Sequence, residues 1–221
     1  MIFAAGLGVR MGDLTRSRPK PLIPVAGQPL LDYALDIAHA ARVSRIVVNS
    51  HYHPDQIAAH LKGRALISHE TTLLDTGGGL RNAAHLLGAS PVFTLNSDTV
   101  WAGPNALLSL QEAWRPADMD ALLLLVPKSR AHARKGGGDF ALEEDGRLRR
   151  GGDMIYTGAQ IIRMDRLKEM PEGAFSLNLC WDAIAQSGRL SGTLYQGQWC
   201  DVGHPEGITK AESMLTGAAD V

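Results

Sequence analysis

The sequence contains little cysteine. Its 221 residues include two cysteines, Cys180 and Cys200, which are isolated from each other and form no C-x-x-C pair. This pattern argues against a disulfide scaffold and indicates reduced thiols. His51 and His53 would lie on one face of an extended segment, but no cysteine or third histidine is near them in sequence to complete a zinc site.

The sequence also lacks an excess of charge and a long apolar segment. Lysine plus arginine number 22 and aspartate plus glutamate 23, which gives a net charge of -1. A general attraction to nucleic acid or to an anionic membrane is therefore not expected. Because there is no run of about 18 apolar residues and no basic segment followed by an apolar one at the start, we expect a cytoplasmic protein without a signal peptide or a transmembrane helix.

A glycine-rich segment stands at the start of the chain. Residues 3–24 read FAAGLGVRMGDLTRSRPKPLIP, and Gly6 and Gly8 follow a short apolar stretch. Glycines tolerate positive φ and leave successive N–H groups unobstructed, a geometry that cradles an anion next to the start of a helix. Arg10 and Lys20 add two cations, and prolines on both sides hold Lys20 on a stiff, extended backbone. The segment therefore predicts an anionic ligand.

The glycine-rich segment has three other possible interpretations. A dinucleotide-binding G-x-G-x-x-G motif fails by one place, because Met11 stands where the third glycine is needed and Gly12 follows it. A nicotinamide-linked oxidoreductase is weakened for that reason. A P-loop needs G-x-x-x-x-G-K-[ST], and no Lys-Ser or Lys-Thr follows these glycines. A glycine-rich turn without a ligand stays open from these residues alone.

Short apolar segments alternate with amphipathic ones along the whole chain. The spacing predicts helices over 30–42, 54–61, 79–87, 105–114, 177–185 and 205–215, and strands over 45–49, 65–68, 91–95, 121–126, 156–164 and 193–200. This alternation is typical of a doubly wound α/β sheet, and we expect a single Rossmann-like domain over residues 1–221. Residues 129–138 predict an exposed, mobile loop, and residues 140–148 a hairpin that turns at Asp145-Gly146.

A family resemblance rests on AAG-x-G-x-R-M followed by PKPLIPVAGQPLL. This pattern resembles the N-terminal signature of the sugar-1-phosphate nucleotidylyltransferases, which join a nucleoside triphosphate to a sugar 1-phosphate and release pyrophosphate. The resemblance implies the mixed sheet of the nucleotide-diphospho-sugar transferases, and we expect no additional β-helix domain. It also implies that Ala5, Gly6 and Gly8 bind the nucleotide, that Arg10 stabilises the departing pyrophosphate, and that Lys20 contacts the α-phosphate or the sugar phosphate.

The resemblance extends to two aspartates that would bind a metal ion. Asp98 matches the N-x-D element of the family and Asp201 its W-x-D-x-G element. Attack of a sugar phosphate on the α-phosphorus brings two anions together, so the site must supply positive charge, and Mg²⁺ prefers carboxylate and phosphate oxygens. A turn or helix-cap role for the aspartates is the alternative that the residues alone leave open. By the same resemblance, Thr76, Gly77 and Gly78 are expected to bind the base.

The sequence elements expected to bind the sugar differ from those of one branch of the family. Relatives that make dTDP-glucose or UDP-glucose commonly have a Glu-Lys-Pro element that grips the sugar, and this sequence has none. Its G-D-F, G-D and Y-T-G elements instead resemble the short uridylyltransferases that act on N-acetylmuramate 1-phosphate. The substrate-binding residues implied by this resemblance are Asp139, Asp153, Thr157 and Gly158. The basic residues 130–135 are a candidate partner for the lactyl carboxylate of that sugar.

The sequence thus predicts a magnesium-dependent uridylyltransferase of cell-wall recycling. Its substrates would be UTP and N-acetylmuramate 1-phosphate, and we expect a monomer or a homodimer with neither nucleic-acid nor membrane partners. Two alternatives stay open: a mannose-1-phosphate guanylyltransferase, and a nucleotide-sensing relative without turnover. Asp13, where many relatives have proline, and the missing Glu-Lys-Pro element motivate the second alternative.

Overall fold

The computed structural model of the protein describes residues 1–219. Its strands are β1 (Ile2–Phe3), β2 (Pro24–Val25), β3 (Gln28–Pro29), β4 (Val47–Ser50), β5 (Leu66–His69), β6 (Val92–Asn96), β7 (Thr99–Ala102), β8 (Ala121–Pro127), β9 (Ala131–His132), β10 (Phe140–Leu142), β11 (Leu148–Arg150), β12 (Met154–Ile162), β13 (Leu190–Leu194) and β14 (Gln198–Asp201). Its α-helices are α1 (Leu30–Ala40), α2 (Pro54–Leu61), α3 (Asp75–Asn82), α4 (Ala84–Leu87), α5 (Ala106–Ala113), α6 (Leu177–Gln186) and α7 (Pro205–Ala219). Residues 220 and 221 of the predicted domain lie outside the described residues. Within residues 1–219, no helix combines the length and apolar character that crossing a bilayer requires.

The main sheet is mixed, and β1 lies inside its parallel part. Its strands follow the order β5-β4-β1-β6-β12-β8-β13. β1 pairs in parallel with β4 and β6, whereas β12 runs antiparallel to β6 and β8. The β10–β11 hairpin pairs with the start of β12. The predicted doubly wound α/β sheet is confirmed, and the predicted hairpin is present with strands that extend to Arg150.

The core covers both faces of this sheet, and β8 illustrates why. Alternate side chains of a strand point to opposite faces. Leu122 and Leu124 pack with α1 and α5 on one face, and Leu123 and Leu125 pack with α6 on the other. All four are fully buried, which explains the continuous apolar run of this strand.

A second, three-stranded sheet stands beside the main one and has the order β7-β14-β9. The sequence predicts one extended segment over 193–200, but the chain turns at residues 195–197 and divides it between the two sheets. The predicted mobile loop at 129–138 is wrong in its first half. Residues 131–132 form β9, and the guanidinium of Arg130 donates to the carbonyl of Tyr195 at 3.2 Å.

Helix α3 begins earlier than predicted and includes glycines. The sequence predicts a helix from Gly79 onward, whereas the helix starts at Asp75. Glycine lowers helix propensity, so tertiary contacts must hold this turn. A Cβ on Gly78 would lie 2.7 Å from the carbonyl oxygen of Gly173, and the amides of Gly77 and Gly78 both donate to the carbonyl of Phe175. The glycines therefore let α3 approach the segment before α6.

A buried aspartate joins three arginines at the start of β8. Asp120 accepts hydrogen bonds from Arg166 at 2.8 Å and Arg189 at 2.9 Å, and Arg163 lies 3.4 Å away. Burial acts to raise the pKa of Asp120, but the hydrogen bonds and charges of Arg189 and Arg166 outweigh burial and lower it. A carboxylate whose pKa is lowered by folding stabilises the protein above its unfolded-state pKa, and this stabilisation is lost as the pH falls through the folded-state value.

Asp120→Asn is therefore expected to destabilise the fold at neutral pH. Leaving the arginines without their carboxylate should cost about 2–3 kcal/mol of unfolding free energy. Thermal unfolding from pH 7 downward measures this, and the melting temperatures of variant and wild type should converge only after the pH has fallen below the folded-state pKa of Asp120, which is lower than the ordinary 3.8. Asp165→Asn, which removes an exposed ion pair with Lys168, is the matched control. A pH-independent difference would contradict the prediction.

Candidate active site

The loop after β1 is closed by contacts that require glycine. Gly8 has a φ of +67°, and a Cβ there would lie 2.9 Å from the Cβ of Lys20 and from Cγ2 of Thr15. The hydroxyl of Thr15 donates to the carbonyl of Gly8 at 3.2 Å, and the amide of Met11 donates to the same carbonyl at 2.9 Å. The loop therefore curls tightly against Lys20, as an anion-binding turn requires.

Two adjoining cavities open beyond the carboxyl ends of the parallel strands. The first, of about 460 Å³, is lined by residues 3–10 of the loop and by Lys20. The second, of about 290 Å³, lies toward the β10–β11 hairpin and α6. The residues common to both linings are Phe3, Arg10, Asp75, Thr76, Asn96 and Asp98. The location agrees with the rule that ligands of open α/β sheets bind outside the carboxyl ends of the strands.

The pairing of β7 with β14 brings the two predicted metal ligands together. Asp98 lies in the turn before β7, and Asp201 is the last residue of β14, in register with Thr99. The amide of Val202 donates to the carbonyl of Asp98 at 2.9 Å. Lys20 joins the same cluster, because its Nζ lies 2.7 Å from Oδ2 of Asp98.

The electrostatics of the two carboxylates differ. Burial acts to raise the pKa of Asp98, but the ion pair and hydrogen bond with Lys20, together with the charge of Arg10, lower it below its usual range. Burial and the neighbouring charge of Asp98 raise the pKa of Asp201, against the charges of Lys20, Arg134 and Arg10. In this cluster, Lys20 therefore neutralises the carboxylate of Asp98, and the carboxylate of Asp201 repels that of Asp98.

This donor set fits a magnesium ion that is completed by its substrate. Within residues 1–219 no group of three or more His, Cys, Asp or Glu side chains could hold a metal by itself. Mg²⁺ commonly binds one or two carboxylates and takes its other ligands from water and phosphate oxygens. Asp98 and Asp201 supply two carboxylates at the junction of the cavities.

The first cavity contains a buried polar chain that the sequence analysis missed. The amide of Ala4 donates to Oδ1 of Asn49 at 2.6 Å, and Nδ2 of Asn49 donates to Oε1 of Glu70 at 2.7 Å. Oε2 of Glu70 accepts from the amide of Leu74 at 3.1 Å. Asn49 is the last residue but one of β4, and Glu70 directly follows the neighbouring parallel strand β5, so the rule that ligands bind beyond strand ends could have identified them.

Asp139 lines the second cavity together with Arg134 and Arg150, in addition to the shared Arg10. Oδ1 of Asp139 accepts from Nη2 of Arg134 at 2.9 Å, and Oδ2 accepts from the amide of Tyr156 at 3.0 Å. Nε of Arg134 is buried without a hydrogen-bond acceptor among the described residues. Arg150, which no sequence pattern indicated, lies over the ring of Trp181 in the same cavity.

The basic residues 130–135 do not act as one surface. Arg134 lines the second cavity, whereas Arg130 binds the main chain near Tyr195. Lys135 lies 3.2 Å from Glu206 at the start of α7. One residue of the predicted carboxylate-binding loop thus reaches the site.

Three predicted substrate residues are not presented to the cavities. The hydroxyl of Thr157 is buried and donates to the carbonyl of Leu124 at 2.7 Å, and this residue lines neither cavity. Gly158 has a φ of +87°, and a Cβ there would lie 2.7 Å from the side chain of Asn96, so its glycine serves close packing. Asp153 is exposed and outside both linings.

Only one of the three residues in the predicted base-binding segment lines the cavities. Thr76 lines both cavities. Gly77 and Gly78 lie outside both linings, and their amides already donate to the carbonyl of Phe175 at 2.9 and 3.0 Å. The structure therefore does not offer these two amides to a base, because packing against the segment before α6 uses them.

Comparisons with known proteins agree with this geometry. Residues 1–192 match the MobA-like NTP transferase domain family. The chain is 39% identical to an N-acetylmuramate alpha-1-phosphate uridylyltransferase of Caulobacter vibrioides, over 99% of this chain and 97% of that protein. It is 29% identical to a protein of the same name from Neisseria meningitidis, over 97% of this chain and 96% of that one.

Two further proteins resemble the chain, one in sequence and one in structure. A mannose-1-phosphate guanyltransferase of Aspergillus fumigatus is 29% identical over 93% of this chain but over 61% of its own length. A solved structure described as a putative glucose-1-phosphate thymidylyltransferase from Bacillus anthracis superimposes with a TM-score of 0.80 at 16% identity, over 100% of this chain and 94% of that one. The chain belongs to the MobA-like NTP transferase domain family and, within it, to the sugar-1-phosphate nucleotidyltransferases.

Proposed function

We propose that the protein transfers a uridylyl group from UTP to N-acetylmuramate 1-phosphate. The products would be UDP-N-acetylmuramate and pyrophosphate, and the activity would serve cell-wall recycling in the cytoplasm. Two relatives with this activity in their names align over nearly their full lengths. The observation that carries the proposal is the meeting of two cavities at Asp98, one lined by the anion-binding loop and the other by arginine and aromatic side chains.

The two cavities divide the substrates between them. The nucleotide would occupy the first cavity, with its phosphates on the loop that contains Gly6 and Gly8. The sugar 1-phosphate would occupy the second cavity, where Asp139 accepts sugar hydroxyl hydrogen bonds and the ring lies near Tyr156 and Trp181. An oxygen of the sugar phosphate then attacks the α-phosphorus of UTP and forms the new P–O bond. The bond from the α-phosphorus to the bridging oxygen breaks, and pyrophosphate leaves with the electron pair.

The residues at the junction stabilise and align these anions. Arg10 lines both cavities, so its charge can reach both the triphosphate and the attacking phosphate. Lys20 is held in place by Asp98 and by its flanking prolines, which limits the motion of its charge. Asp98 and Asp201 would hold Mg²⁺, which supplies positive charge against the phosphate oxygens when bound. Such fixed charges align the reactants before the reaction.

A substrate panel tests the proposal. Pyrophosphate release is measured with UTP, GTP, CTP and dTTP, each combined with the 1-phosphates of N-acetylmuramate, N-acetylglucosamine, mannose and glucose, in the presence of MgCl₂. We expect kcat/KM to be highest for UTP with N-acetylmuramate 1-phosphate, by about tenfold or more over every other pair. A site that hydrogen-bonds a polar group of its substrate discriminates against substrates that lack this group.

The other outcomes of the panel discriminate between the alternatives. A preference for GTP with mannose 1-phosphate would replace the proposal with guanylyl transfer. Tight UTP binding without product from any sugar phosphate would indicate a nucleotide-sensing protein.

A further inference from the structure

We infer that Arg150 binds a carboxylate on the sugar ring and thereby selects an acidic sugar 1-phosphate. The inference rests on the proposed function, since it assigns the sugar to the second cavity. It names a specificity residue at that cavity's far end, on the β10–β11 hairpin rather than on the basic residues 130–135.

Besides Arg10, which lines both cavities, the second cavity has two arginines in different environments. Arg134 pairs with Asp139 and lies close enough to Asp201 for its charge to act on that carboxylate. Arg150 pairs instead with Asp182 of α6, through Nε and Oδ1 at 2.6 Å. One guanidinium therefore belongs to the reacting end of the cavity, where the sugar phosphate must be placed, and the other belongs to the hairpin end.

The guanidinium of Arg150 is held before any ligand binds. Its Nη2 donates to the carbonyl of Asn178 at 2.9 Å, and its Cζ lies 4.8 Å from the ring centroid of Phe140 and 5.5 Å from that of Trp181. Stacking on aromatic rings suits the planar guanidinium and leaves its edge available. Within the described part of the chain, Nη1 donates to no protein acceptor. An oriented N–H edge beside aromatic rings is a site for a carboxylate.

The neighbouring arginines of the hairpin differ from Arg150. Arg149 pairs with Glu143 and Arg147 with Asp145, and neither lines the second cavity. Among these three arginines, the one that faces the cavity is also the one that packs on aromatic rings. A solvated surface charge does not require this packing.

The charge pattern of the cavity matches a ligand with two separated anionic groups. A neutral sugar 1-phosphate has one anionic group, and the reacting end of the cavity already has cations for it. N-acetylmuramate 1-phosphate has a second, the carboxylate of its lactyl ether on O3, across the ring from the phosphate. N-acetylglucosamine 1-phosphate is the same molecule without the lactyl group. A comparison of the two sugar phosphates therefore isolates the effect of the carboxylate.

Arg150→Gln tests the assignment. Steady-state kinetics with saturating UTP give the KM for N-acetylmuramate 1-phosphate, and competition gives the inhibition constant of N-acetylglucosamine 1-phosphate whether or not it is turned over. Loss of a charge-assisted hydrogen bond should raise the KM for the acidic sugar about ten- to a hundredfold. The inhibition constant of the neutral sugar and the KM for UTP should stay within about twofold, because neither ligand contacts Arg150 through a carboxylate.

Two matched variants separate recognition from folding. Arg149→Gln removes an equal charge one residue away and outside the cavity, and it should leave both constants unchanged. Asp182→Asn removes the partner of Arg150 but keeps the guanidinium, and it should leave the KM for the acidic sugar unchanged or lower it. Equal losses for both sugars in Arg150→Gln would mean a structural role and would overturn the inference.

The outcomes also distinguish the inference from the proposed function. If the wild type does not turn over N-acetylmuramate 1-phosphate, the proposed function fails. If the wild type turns it over and Arg150→Gln keeps its preference over the neutral sugar, the proposed function stands and the inference alone is wrong.

Discussion

Asp201→Asn is expected to lower kcat by about a thousandfold or more, since it removes a carboxylate that we propose holds the charge-neutralising ion. The same variant should be more stable than the wild type when metal is removed with EDTA. Burial and the charge of Asp98 raise the pKa of Asp201, so its ionised form is disfavoured by folding. A carboxyl group with a raised folded-state pKa costs stability above that pKa, and the neutral amide removes this cost. Activity and stability should therefore change in opposite directions.

Two measurements check this expectation. Pyrophosphate release with saturating UTP, sugar phosphate and MgCl₂ gives kcat, and thermal unfolding at pH 7 in EDTA gives the melting temperature. Asp165→Asn is the control, because Asp165 is exposed and pairs with Lys168 away from both cavities. A variant that keeps kcat within a few-fold of the wild type would refute the metal-binding role of Asp201. A variant that is both inactive and less stable would show that the two carboxylates do not repel each other in the folded protein.

The predicted site residues that the structure brings together at the cavities can be explained in two ways, by local sequence and by strand order. The loop around Gly8 is encoded within a few residues, because its conformation depends on its own glycine and on the nearby Thr15 and Lys20. Asp98 could be placed at the site because it follows a strand of the parallel sheet, and parallel strands end at one edge. Asp201 required the family resemblance, since the pairing of β14 with β7 depends on residues far apart in sequence.

Other predicted site residues are placed outside the cavity linings by tertiary packing. Gly77 and Gly78 fit a ligand-binding pattern, but their amides and their lack of a Cβ serve the contact with Phe175 and Gly173. Thr157 lies in a matching element, yet a bulge in β12 turns its hydroxyl to Leu124. A local pattern cannot reveal which of two partners a hydrogen-bonding group will meet when both lie far away in sequence.

Arg150 is a cavity residue that its local sequence did not distinguish from its neighbours. It stands in a run with Arg147 and Arg149, and such a run on a hairpin usually indicates a solvated surface. Only the docking of α6 against the hairpin distinguishes it, because Trp181 and Asp182 come from that helix. The three arginines have the same charge, but their environments in the folded protein differ.

Lys20→Met is expected to lower kcat/KM about a hundred- to a thousandfold, because it removes a fixed charge at the junction of the cavities. Unlike Asp201→Asn, it should also destabilise the protein. Nζ of Lys20 lies 2.7 Å from Oδ2 of Asp98, and the Lys20 side chain is 10% exposed. Removing one member of such a pair leaves a charge with less compensation, at a cost of about 2 kcal/mol for a carboxylate that stays partly exposed. Lys168→Met removes an exposed lysine and should change neither quantity.

The double variant Lys20→Met with Asp98→Asn separates the two effects. Once the Asp98 carboxylate is also neutral, the charge that lost its ion-pair partner is gone, so the melting temperature should rise above that of Lys20→Met alone. Turnover should not recover, because the reaction needs both the cation and the metal-binding carboxylate. Thermal unfolding and pyrophosphate release on the four members of this cycle measure the coupling between Lys20 and Asp98. If the two substitutions were additive in stability, the ion pair between these residues would make no contribution to the fold, and the loss of activity in Lys20→Met would have to come from its contact with substrate alone.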